Sequence, residues 1–144
     1  MVRPLPEPVL FLDECLGSTD VPEALRALGA TVELLHEHFP AHTPDESWLR
    51  EVGRRGWVVL TKDQRLRRRK AEHAALLQSG VAAFVLTSGN LTGQETAEAF
   101  VHAWPRIRKL LRDHAPPLIA TVSRSGQVKL TSGSPRRGGE GPNS

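Results

Sequence analysis

The sequence predicts an α/β domain whose mostly parallel central sheet lies between helices in three layers and ends in a C-terminal β-hairpin. Three observations carry this: short apolar runs alternate with segments of helical periodicity, turn residues separate them, and carboxylates follow directly on two of the runs. Runs that are apolar throughout suit parallel strands buried on both faces.

Residues 8–12 form the first strand. Residues 21–28 make a short helix with Val21, Ala24, Leu25 and Leu28 on one face, Asp20 as N-cap, Glu23 as reciprocal partner and Gly29 as the terminating residue. A second strand covers 31–35. A loop from Glu37 to His42 leads to a helix over 44–54, for which Thr43, Pro44 and Glu46 spell a capping box with proline at its favoured first position. Residues 57–61 form the third strand, 65–79 a basic helix closed by Gly80, and 82–87 the fourth strand. After Gly93, Ala97, Phe100, Val101, Trp104, Ile107 and Leu111 recur at helical spacing, a core-facing stripe that Pro105 is expected to kink or split. Ile119–Val122 and Gln127–Leu130 flank Ser-Arg-Ser-Gly and form the hairpin. Residues 1–130 are thus one domain, and 131–144, rich in Gly, Ser, Pro and Arg, a disordered tail.

The net charge of +3 hides a polarity along the chain. Residues 1–49 hold nine carboxylates against Arg3 and Arg26, whereas residues 50–70 hold nine basic side chains against Glu51 and Asp63. Such a basic block attracts polyanions through counterion release, without sequence preference. A single cysteine, Cys15, excludes an internal disulfide and fits a reducing compartment. No apolar run approaches a membrane span and the start lacks a signal core, so a soluble cytoplasmic protein is expected.

The chemistry points to Asp13, Asp45 and Asp63. Asp13 ends the first strand, Asp63 follows the third after Lys62, and Asp45 lies in the first turn of the preceding helix. In an open α/β sheet, ligands bind outside the carboxyl ends of the strands. Carboxylates gathered there repel one another unless a hard cation, Mg²⁺ or Mn²⁺, lies between them. Glu46 is accounted for by the capping box, leaving Asp45 free to face a metal. Trp48, Trp57 and Trp104 fit apolar faces as core, and Cys15 is a small buried residue. His36, His38 and His42 lack the regular spacing and cysteine partners of a zinc site and line a loop near the active edge.

Phe11-Leu12-Asp13-Glu14, Pro44-Asp45-Glu46-Ser47-Trp48-Leu49 and Val59-Leu60-Thr61-Lys62-Asp63, in that order, resemble the PIN-like nuclease superfamily. Within it they are similar to the small PIN-like proteins of toxin–antitoxin operons and the VapC-type toxins. The resemblance spans about residues 8–113. It implies a metal-dependent endoribonuclease with Asp13, Asp45 and Asp63 as catalytic metal ligands. RNA would be the substrate and an antitoxin protein the partner; a homodimer is compatible with it. Lys62, Arg65, Arg67, Arg68 and Arg69 would hold phosphates, and Thr61 or Ser88 would add a hydroxyl. Two departures stand out. PIN toxins commonly supply a further acid from another helical segment; here Glu14 or Glu46 replaces it, or one metal binds rather than two. Leu66 stands where a phenylalanine often follows the Thr-x-Asp element.

Two other readings stay open on the residues. A non-catalytic PIN-like module would bind RNA or protein and show no metal-dependent turnover. A receiver-like domain would use Asp13, Glu14 and Asp63 for Mg²⁺ and phosphate, but the segment 116–122 offers no lysine at its end.

Overall fold

In the computed structural model, which describes residues 7–133 and only the backbone of Arg67, six strands form one sheet in the order β2-β1-β3-β4-β5-β6. The strands are β1 (Val9–Leu12), β2 (Thr31–Leu34), β3 (Val58–Thr61), β4 (Ala82–Leu86), β5 (Leu118–Val122) and β6 (Val128–Gly133). The first five are parallel and β6 runs antiparallel to β5, giving the expected hairpin. The second hairpin strand extends past Leu130 to Gly133, and the rest of the segment read as a tail, 134–144, lies outside the described residues.

Strand alternation divides the core. Leu10, Leu12, Val58, Leu60, Phe84, Leu86, Leu118 and Ala120 face one way, against Val21 and Leu25 of α1 (Asp20–Ala27) and Phe100, Ala103 and Ile107 of α6 (Gly93–Asp113). Phe11, Val59, Ala83, Val85 and Ile119 face the other way. They pack on Trp48, Leu49 and Val52 of α3 (Asp45–Arg55), with Leu35 of α2 (Leu35–His38), Leu66 of α4 (Arg65–Arg68) and Leu76 of α5 (Lys70–Ser79). Two dry cores on one two-sided sheet explain why the strand runs carry no polar alternation. Trp48 and Trp104 are buried and Trp57 is half-buried beneath the Arg55 guanidinium, 4.9 Å from its ring.

Several local expectations are corrected. Thr19, not Asp20, is the N-cap of α1. At α3, Pro44 takes the cap position because the Thr43 hydroxyl donates instead to the Pro40 carbonyl at 2.6 Å, so the proposed capping box does not form. Residues 35–38 coil into α2, so the loop to His42 starts only at Phe39. The basic helix is two helices, broken where Arg69 adopts extended backbone (φ −83°, ψ 131°). On one straight helix Leu66 and Leu76 would point about 80° apart; the break lets both enter the same core. Pro105 neither splits α6 nor divides its stripe: it lies on the solvent face of one continuous 21-residue helix. That helix opens on a complete capping box, Thr92 with Glu95, which the pattern Thr-x-x-Glu announces. Among the described residues, no helix is long and apolar enough to cross a membrane.

Candidate active site

The chain passes from β1 to β2 on one side and then to β3 on the other side of β1, so the strand order reverses between β1 and β3. A crevice opens at the carboxyl ends of strands on either side of such a reversal. Asp13 and Asp63 follow those two ends. Leu12 pairs with Leu60, and the Asp13 amide continues the ladder by donating to the Leu60 carbonyl at 3.1 Å, so Asp13 is held as if it were one more strand residue.

Thr61, fully buried at the end of β3, ties the segments together. Its hydroxyl donates to Asp13 Oδ2 at 2.8 Å and accepts from the Asp63 amide at 3.0 Å. With its one proton committed, the hydroxyl takes the Cys15 thiol as a donor at 3.4 Å. The Lys62 amide in turn donates to Cys15 Sγ at 3.5 Å. The sequence named Thr61 only as one of two candidate hydroxyls; its role as a hub needs the β1–β3 register and is invisible in one dimension.

Burial holds the Asp13 carboxyl above the ordinary range, and the carboxylates of Asp45 and Asp63 add to that, against the stabilising hydrogen bonds from Thr61 and Cys15. The three predicted aspartates therefore share one electrostatic neighbourhood. Cys15 is pushed up to about 11, by burial first and by the Asp13 charge second, which leaves the thiol protonated and inert.

Asp45 is the first residue of α3, and its Oδ1 accepts from the indole Nε1 of buried Trp48 at 3.0 Å, one turn along. That bond aims the carboxylate, a function the core reading of Trp48 misses. Asp63 is engaged differently. The Arg65 guanidinium donates to both its oxygens, from Nε at 2.9 and 3.1 Å and from Nη2 at 2.7 Å, and the Arg65 amide donates to Oδ1 at 3.0 Å. These bonds hold the Asp63 carboxyl below the usual carboxylate range.

The remaining predicted residues lie around this edge. Glu14 is exposed and begins a 3₁₀ turn, Glu14–Leu16, whose Leu16 is buried. Lys62, Arg65, Arg68 and Arg69 are exposed along the segment after β3, and Arg67 lies on the backbone of α4 between them. Ser88 is partly buried just beyond the end of β4. His38 Nε2 donates to Glu33 Oε1 at 2.7 Å and packs edge-on against Trp57, while His42 takes a positive φ of 68° in the loop before α3. Among the described residues, no three His, Cys, Asp or Glu side chains converge as a metal-holding group. The donor chemistry nevertheless suits a hard divalent cation: all three central groups are carboxylates, and Asp13 is raised by burial first and by the charges of the other two after it.

Residues 8–88 match the family model described as "PIN like domain". The chain belongs to the PIN-like family. A protein of Mycobacterium tuberculosis (strain ATCC 25618 / H37Rv) named "Putative ribonuclease VapC45" is 26% identical over 125 residues, covering 84% of this chain and 90% of that protein. No solved structure matches the chain. Membership in the PIN-like family sets aside the receiver-like reading.

Proposed function

We propose that this PIN-like protein is a divalent-metal-dependent endoribonuclease that acts in the cytoplasm as the toxin of a toxin–antitoxin pair. The observation that carries the reading is the Asp13 carboxyl, half-buried at the sheet's reversal point and pressed by the charges of Asp45 and Asp63. Burying a carboxylate beside two others is costly, and a divalent cation there would offset what Arg65 and Thr61 leave of that cost. The ribonuclease named among its relatives, matched over nine-tenths of its length, supports the choice of RNA.

Asp13, Asp45 and Asp63 would hold Mg²⁺ or Mn²⁺, with Glu14 beside Asp13 as an outer acid. When bound, the ion supplies an acidified water and charge neutralisation for phosphodiester hydrolysis. The chain's own groups do the rest. Thr61 fixes the Asp13 carboxylate by its hydrogen bond, and Trp48 fixes Asp45. Lys62, Arg65, Arg67, Arg68 and Arg69 would take the phosphates flanking the scissile bond, which positions RNA without selecting its sequence. An antitoxin protein would bind the free enzyme.

Purified protein incubated with single-stranded and structured RNA and Mn²⁺ tests the reading. Cleavage that chelator stops and Asp13→Asn removes is the expected result. Folded protein that leaves RNA intact with Mn²⁺ would replace the nuclease by a binding module.

A further inference from the structure

We infer that the Arg65 guanidinium is a built-in cation of the acidic cluster, competing with metal for Asp63 and leaving the cluster the charge to hold one divalent ion. The inference rests on the metal-dependent reading above. Arg65 makes a fork-to-fork pair with Asp63, touching both carboxylate oxygens, and its amide adds a further bond to Oδ1. Paired in this way, both oxygens of Asp63 face a cation that belongs to the chain. Planar bidentate pairing is the strongest form of side-chain ion pair and the one lysine does not reproduce.

Arg65 is not placed there by chance of a mobile surface side chain. The preceding residue, Gln64, is anchored by its amide to the carbonyls of Leu86, at the end of β4, and Lys62. The following residue, Leu66, is fully buried in the core beneath α3. The backbone that carries Arg65 is therefore pinned on both sides. The Asp45 carboxylate also helps to hold the guanidinium charged, after Asp63, so Arg65 feels more of the cluster than its direct partner.

Charge counting then gives the stoichiometry. Asp13, Asp45 and Asp63 carry three negative charges when ionised and Arg65 returns one, leaving two for a single Mg²⁺ or Mn²⁺; Glu14, exposed to water, lies outside this count. A second divalent ion would make the site net positive. Seating the ion requires the guanidinium to release at least one Asp63 oxygen, so Arg65 weakens metal binding although it strengthens phosphate binding.

The test is a Mn²⁺ titration of the full chain without RNA, followed by electron paramagnetic resonance of the free ion, for wild type, Arg65→Gln and Arg65→Lys. One Mn²⁺ per wild-type chain is expected. Removing the charge in R65Q tightens binding roughly fivefold, in line with a partly exposed ion pair, while R65K, which keeps the charge but loses the two-pronged pair, falls between the two. Equal affinity in wild type and R65Q would overturn the competing role and leave the nuclease reading standing; two ions on wild type would overturn the charge count. No Mn²⁺ on any of the three folded proteins would overturn both the inference and the metal-dependent reading.

Discussion

The Thr61 hydroxyl donates to Asp13 Oδ2 across 2.8 Å, joining the ends of β1 and β3 inside the protein. This bond partly offsets what burial and two neighbouring carboxylates impose on Asp13. Because the folded-state pKa of Asp13 lies above its unfolded value, folding takes up protons between the two, and metal-free stability falls as pH rises through that window. Asp63 works in the opposite sense: its lowered pKa adds stability above the ordinary carboxylate range that is lost as pH falls through the folded value. Asp13→Asn keeps an acceptor for Thr61 but carries no charge. At neutral pH it is expected to stabilise the metal-free protein by about 1 kcal/mol, a usual gain when a functional strain is removed. The gain should shrink as pH falls into the raised range in which the buried wild-type carboxyl takes up its proton. Denaturant midpoints of both proteins across pH check this.

Trp48→Phe keeps an aromatic ring in the core and deletes the donor that holds Asp45 at 3.0 Å. Stability is expected to fall by about 1 kcal/mol. The larger effect should be on turnover, a loss of about tenfold from a loosened Asp45. Paired thermal melts and cleavage rates separate the two.

Gly53 lets α3 meet the end of α5. A Cβ at this position would come within 1.9 Å of the Ser79 carbonyl oxygen, a backbone atom that cannot swing away. Gly53→Ala is therefore expected to destabilise by about 3 kcal/mol through overpacking. It should also shift α3, which begins with Asp45, so any folded fraction loses activity as well.

How much of this was legible in one dimension depends on the residue. The strands, the two-sided burial and the placement of Asp13 and Asp63 follow from apolar runs ending in carboxylates, because strand direction alone decides which edge those residues reach. The break at Arg69 was not legible: Leu66 to Lys70 contains no glycine or proline, and the interruption serves the packing of Leu66 and Leu76 rather than any local preference. The α3 cap failed for a related reason. The Thr43 hydroxyl is spent on the Pro40 carbonyl of the preceding turn, and α3 has no side-chain cap. Asp63 and Arg65 lie only two residues apart, but spacing alone does not decide whether a guanidinium in a basic run turns back to a carboxylate or out to a phosphate.

Arg68, Arg69 and Lys70 are exposed in the segment after β3, and the Arg69 charge reaches Asp63. Replacing all three by alanine is expected to weaken RNA binding across all sequences and to lower the salt slope of log K by about 2, as for the loss of phosphate contacts. Binding isotherms at several salt concentrations, in chelator to prevent cleavage, measure the slope.

The central claim is that Asp13 and Asp45, brought from separate elements, act as parts of one metal-dependent site. The direct test compares Mn²⁺-dependent kcat/KM for RNA cleavage in Asp13→Asn, Asp45→Asn and the double variant. Each single change should cost about 10³-fold and the double change no more than either one, since groups that act as a unit are not additive. Wild-type rates in D45N, or losses that multiply in the double variant, would contradict a shared site.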